Sequence, residues 1–161
     1  HGRDRRQRQM CIRDRIIDTS NLTLHELRDQ IKIRVTHSQE GMAILFQSFG
    51  FKNGIPSDAD LVFDVRCLPN PHWITQLRSQ TGLDEGVQNF LRGHPPVQEM
   101  VDDLTAYLEK WLPRFAANNR SYMTVSIGCT GGQHRSVYIT EQLSEYFKSR
   151  FSNVQARHRD L

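Results

Sequence analysis

The sequence predicts an α/β domain with a mostly parallel sheet of about four strands flanked by helices. Three observations carry this. Short β-prone runs alternate with segments of helical periodicity. One such run, Ser121–Ser126, leads through a glycine-rich turn straight into a helical segment ending near Phe147. The chain has 161 residues, 37% hydrophobic and 24% charged, which suits one domain of ordinary size with a real core.

The elements follow in order. Residues His1–Arg15 are arginine-rich and nearly devoid of apolar side chains, and the chain does not begin with Met. An arm of this kind suits RNA. The plainer reading, a disordered or artefactual tail over 1–15, is preferred. Ile16-Ile17-Asp18 is a short apolar step before the capping residues Thr19-Ser20-Asn21. Leu24, Leu27 and Ile31 predict a helix over 22–35, with Thr23 and Glu26 spaced as a capping box. His37–Gly41 reads as a linker, so 16–40 is a helix and linker and 41–161 the main domain.

Met42–Phe46 is a buried strand candidate, and the aromatic and glycine-rich run Ser48–Pro56 reads as an ordered loop. Leu61–Val65 is the second strand, ending in the proline-stiffened loop Arg66–Trp73. Asp84–Leu91 predicts a short helix. Met100, Val101, Leu104, Leu108, Trp111, Leu112 and Phe115 form the clearest amphipathic pattern, with Pro95-Pro96 at its start and Pro113 expected to kink or end it. Tyr122–Ile127 is the third strand. A second long helix over 134–149 buries Ile139, Leu143, Tyr146 and Phe147. Asn153–Ala156 is a candidate last strand.

Composition excludes several classes. No apolar run is long enough to span a membrane. Cys11, Cys67 and Cys129 give neither a zinc pattern nor a disulfide framework, so a reducing, cytoplasmic setting and no metal are expected. The net charge of +3 permits anionic partners without requiring them.

The chemistry concentrates in Gly128-Cys129-Thr130-Gly131-Gly132-Gln133-His134-Arg135-Ser136. Glycines let a backbone turn tightly and aim its N–H groups at one point. A helix N-terminus adds free N–H groups and a positive dipole end. Arg135 brings a fork for phosphate oxygens, Thr130 and Ser136 bring hydroxyls, and His134 a titratable ring. Hence the turn is read as a phosphate-binding loop. Parallel sheets bind ligands at the carboxyl ends of their strands. Convergence of this loop with Arg66–His72 would place Arg66, His72, Thr130, Gly131, Gly132, His134 and Arg135 around one pocket. Arg66 is equally read as a partner of Asp64.

Two alternatives stand beside that reading. Cys129 and Arg135 have the spacing of a cysteine-dependent phosphatase loop, in which a thiolate attacks phosphorus. Gly128 stands where such loops have histidine, and no acid is positioned by the sequence. No lysine follows the paired glycines, so ATP binding by this segment is not expected. Separately, Arg150, Arg157, His158 and Arg159 make the C-terminus basic beside Tyr146, Phe147 and Phe151. They suit an RNA backbone, or simply a solvated helix end.

The runs Phe49–Pro56, Phe63–Trp73, Thr81-Gly82-Leu83-Asp84 and Gly128–Ser136 together resemble the C-terminal domain of the RapZ family, also called YvcJ-like nucleotide-binding proteins. The resemblance covers about Ile16 to Leu161. Two positions depart from the family pattern: Gln133 replaces a loop lysine, and Ser152 stands where some members carry lysine. The resemblance implies that 16–40 is the remnant of a P-loop domain that lies outside this chain, so ATP or GTP would bind there and no cofactor is expected here. It also implies an RNase adapter and not an enzyme. Such an adapter binds small regulatory RNA, presents it to an RNase E-type endonuclease, and senses glucosamine-6-phosphate through His72, Thr130, Gly131, His134 and Arg135. A cytoplasmic homo-oligomer is the implied state.

Overall fold

The computed structural model describes residues 9–12, 15–18 and 41–161. The chain divides into two compact units, His1–Ser38 and Gln39–Leu161. In the first, strands β1 (Gln9–Ile12) and β2 (Arg15–Asp18) pair antiparallel, with Met10 opposite Ile17 and Cys11 opposite Ile16. The sequence assigns no element to the first of these. The helix expected over 22–35 lies outside the described residues.

The second unit is the α/β domain. Its sheet contains β3 (Ala43–Gly50), β4 (Leu61–Asp64), β5 (Tyr122–Cys129) and β6 (Asn153–His158). They lie in the order β4-β5-β3-β6, and every pairing is parallel. Helices α1 (Glu85–Arg92) and α2 (Pro95–Ala117) fall between β4 and β5, and α3 (Arg135–Lys148) between β5 and β6. The fold class expected from the alternation of elements is therefore the one observed.

The core follows from the periodicities. On α2, Val97, Val101, Leu104, Leu108 and Leu112 are buried at helical spacing; on α3, Ile139, Leu143 and Phe147 are fully buried. Phe147 stacks on Phe46 of the central strand, with ring centroids 5.7 Å apart. Central strands β3 and β5 are buried along almost their whole length, with the polar Gln47, Ser48, Thr124 and Ser126 among the buried residues. Tyr146 is only partly buried, and its hydroxyl bonds Glu109 of α2.

Two expectations are corrected. Pro113 does not end α2, which continues to Ala117. Pro113 and Glu109 are both exposed, so water can satisfy the carbonyl that the missing N–H leaves open. The first strand does not stop at Phe46 but runs to Gly50, so Ser48-Phe49-Gly50 belongs to the sheet and not to a loop. Its extra residues pair with an equally extended β5, Phe49 opposite Gly128 and Gly50 opposite Cys129. That register brings the ends of the two central strands level, under the glycine-rich turn.

Candidate functional site

The glycine-rich turn and the loop after β4 lie at the carboxyl ends of their strands. The turn 130–134 leaves β5 and enters α3, with His134 as the residue before the first helical turn. Two glycines allow its path. Gly132 has φ +77°, a left-handed conformation, and a Cβ there would sit 2.6 Å from the Gly50 nitrogen. Conversely, a Cβ on Gly50 would sit 2.5 Å from the Gly131 carbonyl carbon. The turn thus lies directly on the end of β3. Further bonds fix it: Lys52 N–H donates to the Thr130 carbonyl at 3.2 Å, and Gly82 N–H to the Gln133 carbonyl at 2.8 Å. The Thr81–Asp84 turn that supplies Gly82 is closed by the Asp84 carboxylate, which accepts from Thr81 N–H at 2.6 Å and from its hydroxyl at 3.0 Å.

Arg135 ties this loop to the one after β4. Its side chain is 4% exposed. One terminal nitrogen donates to the Arg66 carbonyl at 2.7 Å and to the Leu68 carbonyl at 2.9 Å; the other donates to the Thr130 hydroxyl at 3.3 Å. Its Nε is buried without a partner. His134 is 6% exposed, and its Nε2 is likewise buried without a partner. The His72 ring lies 6.3 Å from the His134 ring, centroid to centroid, and Trp73 beside it is 76% exposed. The loops after β4 and β5 thus meet through Arg135, and the His72 ring lies near that of His134. Burial of a polar atom without a partner disfavours folding by about 1–3 kcal/mol, and the Arg135 Nε donor is one such atom at this loop.

Burial disfavours the charged form of His134, and the nearby His72 and Arg135 add to this; backbone contacts at Leu77 and Gln80 oppose it. The ring is held below its ordinary 6.5. A histidine depressed in the fold supplies stability that is present above its unfolded pKa and lost as pH falls through the folded value. The melting temperature of the wild type is therefore expected to fall more steeply between pH 7 and 5 than that of His134→Gln. Parallel pH profiles for the two proteins in thermal melts would contradict this.

Cys129 is 2% exposed. Its Sγ accepts Gly132 N–H at 3.2 Å and lies 3.1 Å from the Ser136 hydroxyl. Burial pushes the thiol up, but hydrogen bonds from the Ser136 hydroxyl and from the N–H groups of Ser136, Gly132 and His134 outweigh it and leave the thiol below its usual range. Several N–H groups of the loop thus turn toward sulfur. Gly128 faces Phe49 and Phe51, and a Cβ there would meet both rings at 2.5 Å, so the histidine of phosphatase loops has no room.

The remaining residues take different places. Arg66 is exposed, is bidentate on Asp64 at 2.7–3.0 Å, and lies 4.1 Å over the Phe51 ring. Its guanidinium holds the Asp64 carboxyl below the usual range. Arg150 bonds Glu109 at 3.1 Å and covers the Tyr146 ring at the start of β6. Arg157 is exposed at the other end of that strand. His158 is held between Ser48 (2.8 Å) and Glu141 (3.0 Å). Arg159 pairs with Asp160 at 2.9 Å and donates to the Gly50 carbonyl at 3.3 Å. The basic C-terminus is thus split between the two ends of β6, and most of it is bonded within the domain.

Sequence reasoning missed Asp160 and Lys52. Asp160 accepts the Gly50 N–H at 2.6 Å under the loop. The Lys52 ammonium reaches the open side of Gly131. Only position within the Phe-Gly-Phe-Lys run could have flagged Lys52; nothing local marks Asp160. Among the described residues no group of three or more His, Cys, Asp and Glu could hold a metal ion. None of the described helices is long and apolar enough to cross a membrane.

Residues 42–161 match the RapZ C-terminal domain. The chain belongs to that family. Similar proteins include nucleotide-binding proteins of three bacteria. The one from Cellvibrio japonicus is 61% identical over 149 residues, 92% of this chain and 50% of its own length. Those from Hahella chejuensis and Marinobacter nauticus are each 58% identical, over 146 and 151 residues, 90% and 93% of this chain and 51% of each relative. The chain spans about half the length of the curated relatives it matches. The relatives' names state no catalytic activity.

Proposed function

We propose that this domain is the ligand-sensing part of a RapZ-like RNase adapter, binding the phosphate of an amino-sugar phosphate, glucosamine-6-phosphate, on the loop 130–135. The observation that carries the reading is the buried, unpartnered Arg135 Nε donor, with the buried His134 ring beside it, behind a glycine turn at a helix N-terminus. Thr130 and Gly131 offer further donors, and the His72 ring lies near that of His134. Arg66 frames the site through its backbone carbonyl and its Asp64 pair. In this reading the protein binds small regulatory RNA and directs it to an RNase E-type endonuclease, with Arg157 as the exposed basic contact and with Arg150, His158 and Arg159 contributing at the ends of β6. A cytoplasmic homo-oligomer, nucleotide bound by a domain outside this chain, and residues 16–40 as the remnant of that domain belong to the same proposal.

Glucosamine-6-phosphate at 100 times its Kd is expected to add about 2.7 kcal/mol of stability, or roughly 5–10 °C in melting temperature for a domain of this size. No shift at millimolar ligand would defeat the reading. A second reading, a cysteine phosphatase, is favoured by the lowered Cys129 thiol. Against it stand the buried sulfur, the closed face at Gly128 and the arginine fork spent on carbonyls. Turnover of an aryl phosphate that disappears in Cys129→Ser would reverse that preference.

A further inference from the structure

We infer that the turn 81–84 is a positioning brace for the exit of the glycine-rich loop, and that Asp84 is the residue that keeps this turn closed. The inference rests on the sugar-phosphate reading above. Asp84 touches no ligand in it; it acts through Gly82 on the backbone at Gln133 and His134.

Helix α1 begins at Glu85, and Asp84 holds its N-cap position with extended backbone. An aspartate there ordinarily accepts N–H groups of its own helix. Asp84 makes no such bond. Its carboxylate turns back instead, accepting the Thr81 N–H at 2.6 Å and the Thr81 hydroxyl at 3.0 Å. The hydroxyl oxygen in turn accepts the Leu83 N–H at 3.2 Å, and the Asp84 N–H donates to the Thr81 carbonyl at 3.0 Å. From α1, the Gln88 side-chain amide donates to the carbonyls of Gly82 at 3.3 Å and Leu83 at 3.1 Å. A turn that only starts a short helix needs no backward-facing carboxylate and no second clasp.

What the closed turn presents is Gly82, which is buried although Leu83 and Asp84 are exposed. Gly82 N–H donates to the Gln133 carbonyl at 2.8 Å. A Cβ added at Gly82 would collide with the His134 carbonyl oxygen and lie 2.7 Å from the Tyr138 nitrogen and 2.8 Å from the Val137 Cβ. Tyr138 N–H donates to that same His134 carbonyl at 3.0 Å, in the first turn of α3. Gly82 therefore lies flat against the point where the loop becomes helix. The backbone of Leu77 and Gln80, just before it, flanks the His134 ring. Hydrogen bonds weaken steeply with angle, so donors serve an anion only while their backbone is held to about 0.5 Å. A loop released at Gln133 and His134 keeps its charges and loses its aim.

Isothermal titration of the full chain with glucosamine-6-phosphate, beside ligand-free thermal melts, tests this in wild type, Asp84→Ser and Asp84→Asn. Serine is a good N-cap but is too short to reach back to Thr81. Asp84→Ser is thus expected to melt within about 2 °C of wild type while binding the ligand about tenfold more weakly. Asp84→Asn keeps an acceptor for the Thr81 N–H and should stay within about threefold of wild type. If Asp84→Ser melts too low to titrate, Gln88→Ala opens the same turn from α1 and should weaken binding about fivefold. Wild-type affinity in Asp84→Ser overturns the inference. Affinity that falls only in step with melting temperature across the variants makes Asp84 structural and overturns it too. A wild type that binds no ligand removes the sugar-phosphate reading itself. The brace is then judged by the ligand-free amide shifts of Gln133 and His134, which Asp84→Ser should move and which, if unmoved, overturn it.

Discussion

Arg135→Ala is expected to abolish the thermal shift by glucosamine-6-phosphate and to lower the ligand-free melting temperature by about 5 °C. Two separate effects combine. The first is structural. The guanidinium holds the loop after β4 to the loop after β5 through the carbonyls of Arg66 and Leu68. Truncation leaves two acceptors without their donor, at about 1–3 kcal/mol for each that stays dry. Part of this is returned, because a buried guanidinium is itself unfavourable to desolvate. A net loss of about 2 kcal/mol results, which at 2–4 °C per kcal/mol gives the stated drop. The second effect is on binding. Nε is the donor left over for an anion, and a charge-assisted hydrogen bond lost with its positioning corresponds to about 100-fold in Kd. Arg135→Lys separates the two. It keeps a positive charge but cannot serve two carbonyls and an anion from one planar fork, so ligand affinity should remain low while some stability returns. Titration calorimetry beside thermal melts reads both quantities. Binding at wild-type strength in Arg135→Ala would show that the buried Nε has nothing to do with the ligand.

Gly50→Ala is expected to do comparable damage without touching any polar side chain. The added methyl would lie 2.5 Å from the Gly131 carbonyl carbon and 2.8 Å from both the Gly131 oxygen and the Gly132 nitrogen. All three are backbone atoms, so no flexible side-chain end can move aside. The loop must lift from β3, or the strand must bend. Overpacking of this kind typically destabilises by 1–3 kcal/mol, and the rigid surroundings place this case near the top, about 3 kcal/mol and roughly 10 °C. Lifting the loop also breaks the Lys52–Thr130 backbone bond and misaims the N–H groups, so ligand-induced stabilisation should vanish. A Gly50→Ala protein with wild-type melting and binding would mean that the loop does not rest on β3 as described.

These two residues show what the sequence made legible and what it hid. Arg135 could be read locally, because a glycine turn between a β-prone run and a helix is a short-range pattern, and an arginine at a helix start calls for an anion. The helices were legible for the same reason: Leu104, Leu108 and Leu112 announce their shared face by spacing alone. Gly50 pointed the wrong way. Two glycines among aromatics read as loop, yet Gly50 is sheet, and its lack of a side chain serves a turn some eighty positions later in the chain. The same holds for Asp160, which joins the far C-terminus to Gly50, and for Lys52, whose place depends on where the turn falls. Pro113 misled because the rule against proline in helices is a rule about unpaired carbonyls, and on an exposed face water can supply the partner. The basic C-terminus was read by charge, but charge does not tell which arginines already have carboxylates; Arg150 and Arg159 do.

The turn after β5 is the proposed phosphate site. Amide chemical-shift mapping by nuclear magnetic resonance, during titration with glucosamine-6-phosphate, tests it most directly. The expected result is a saturable change centred on the amides of Thr130, Gly131, Gly132 and His134, extending to Lys52 and His72, with little change at Arg150. Saturable changes centred on another part of the domain, or none at millimolar ligand, would contradict it.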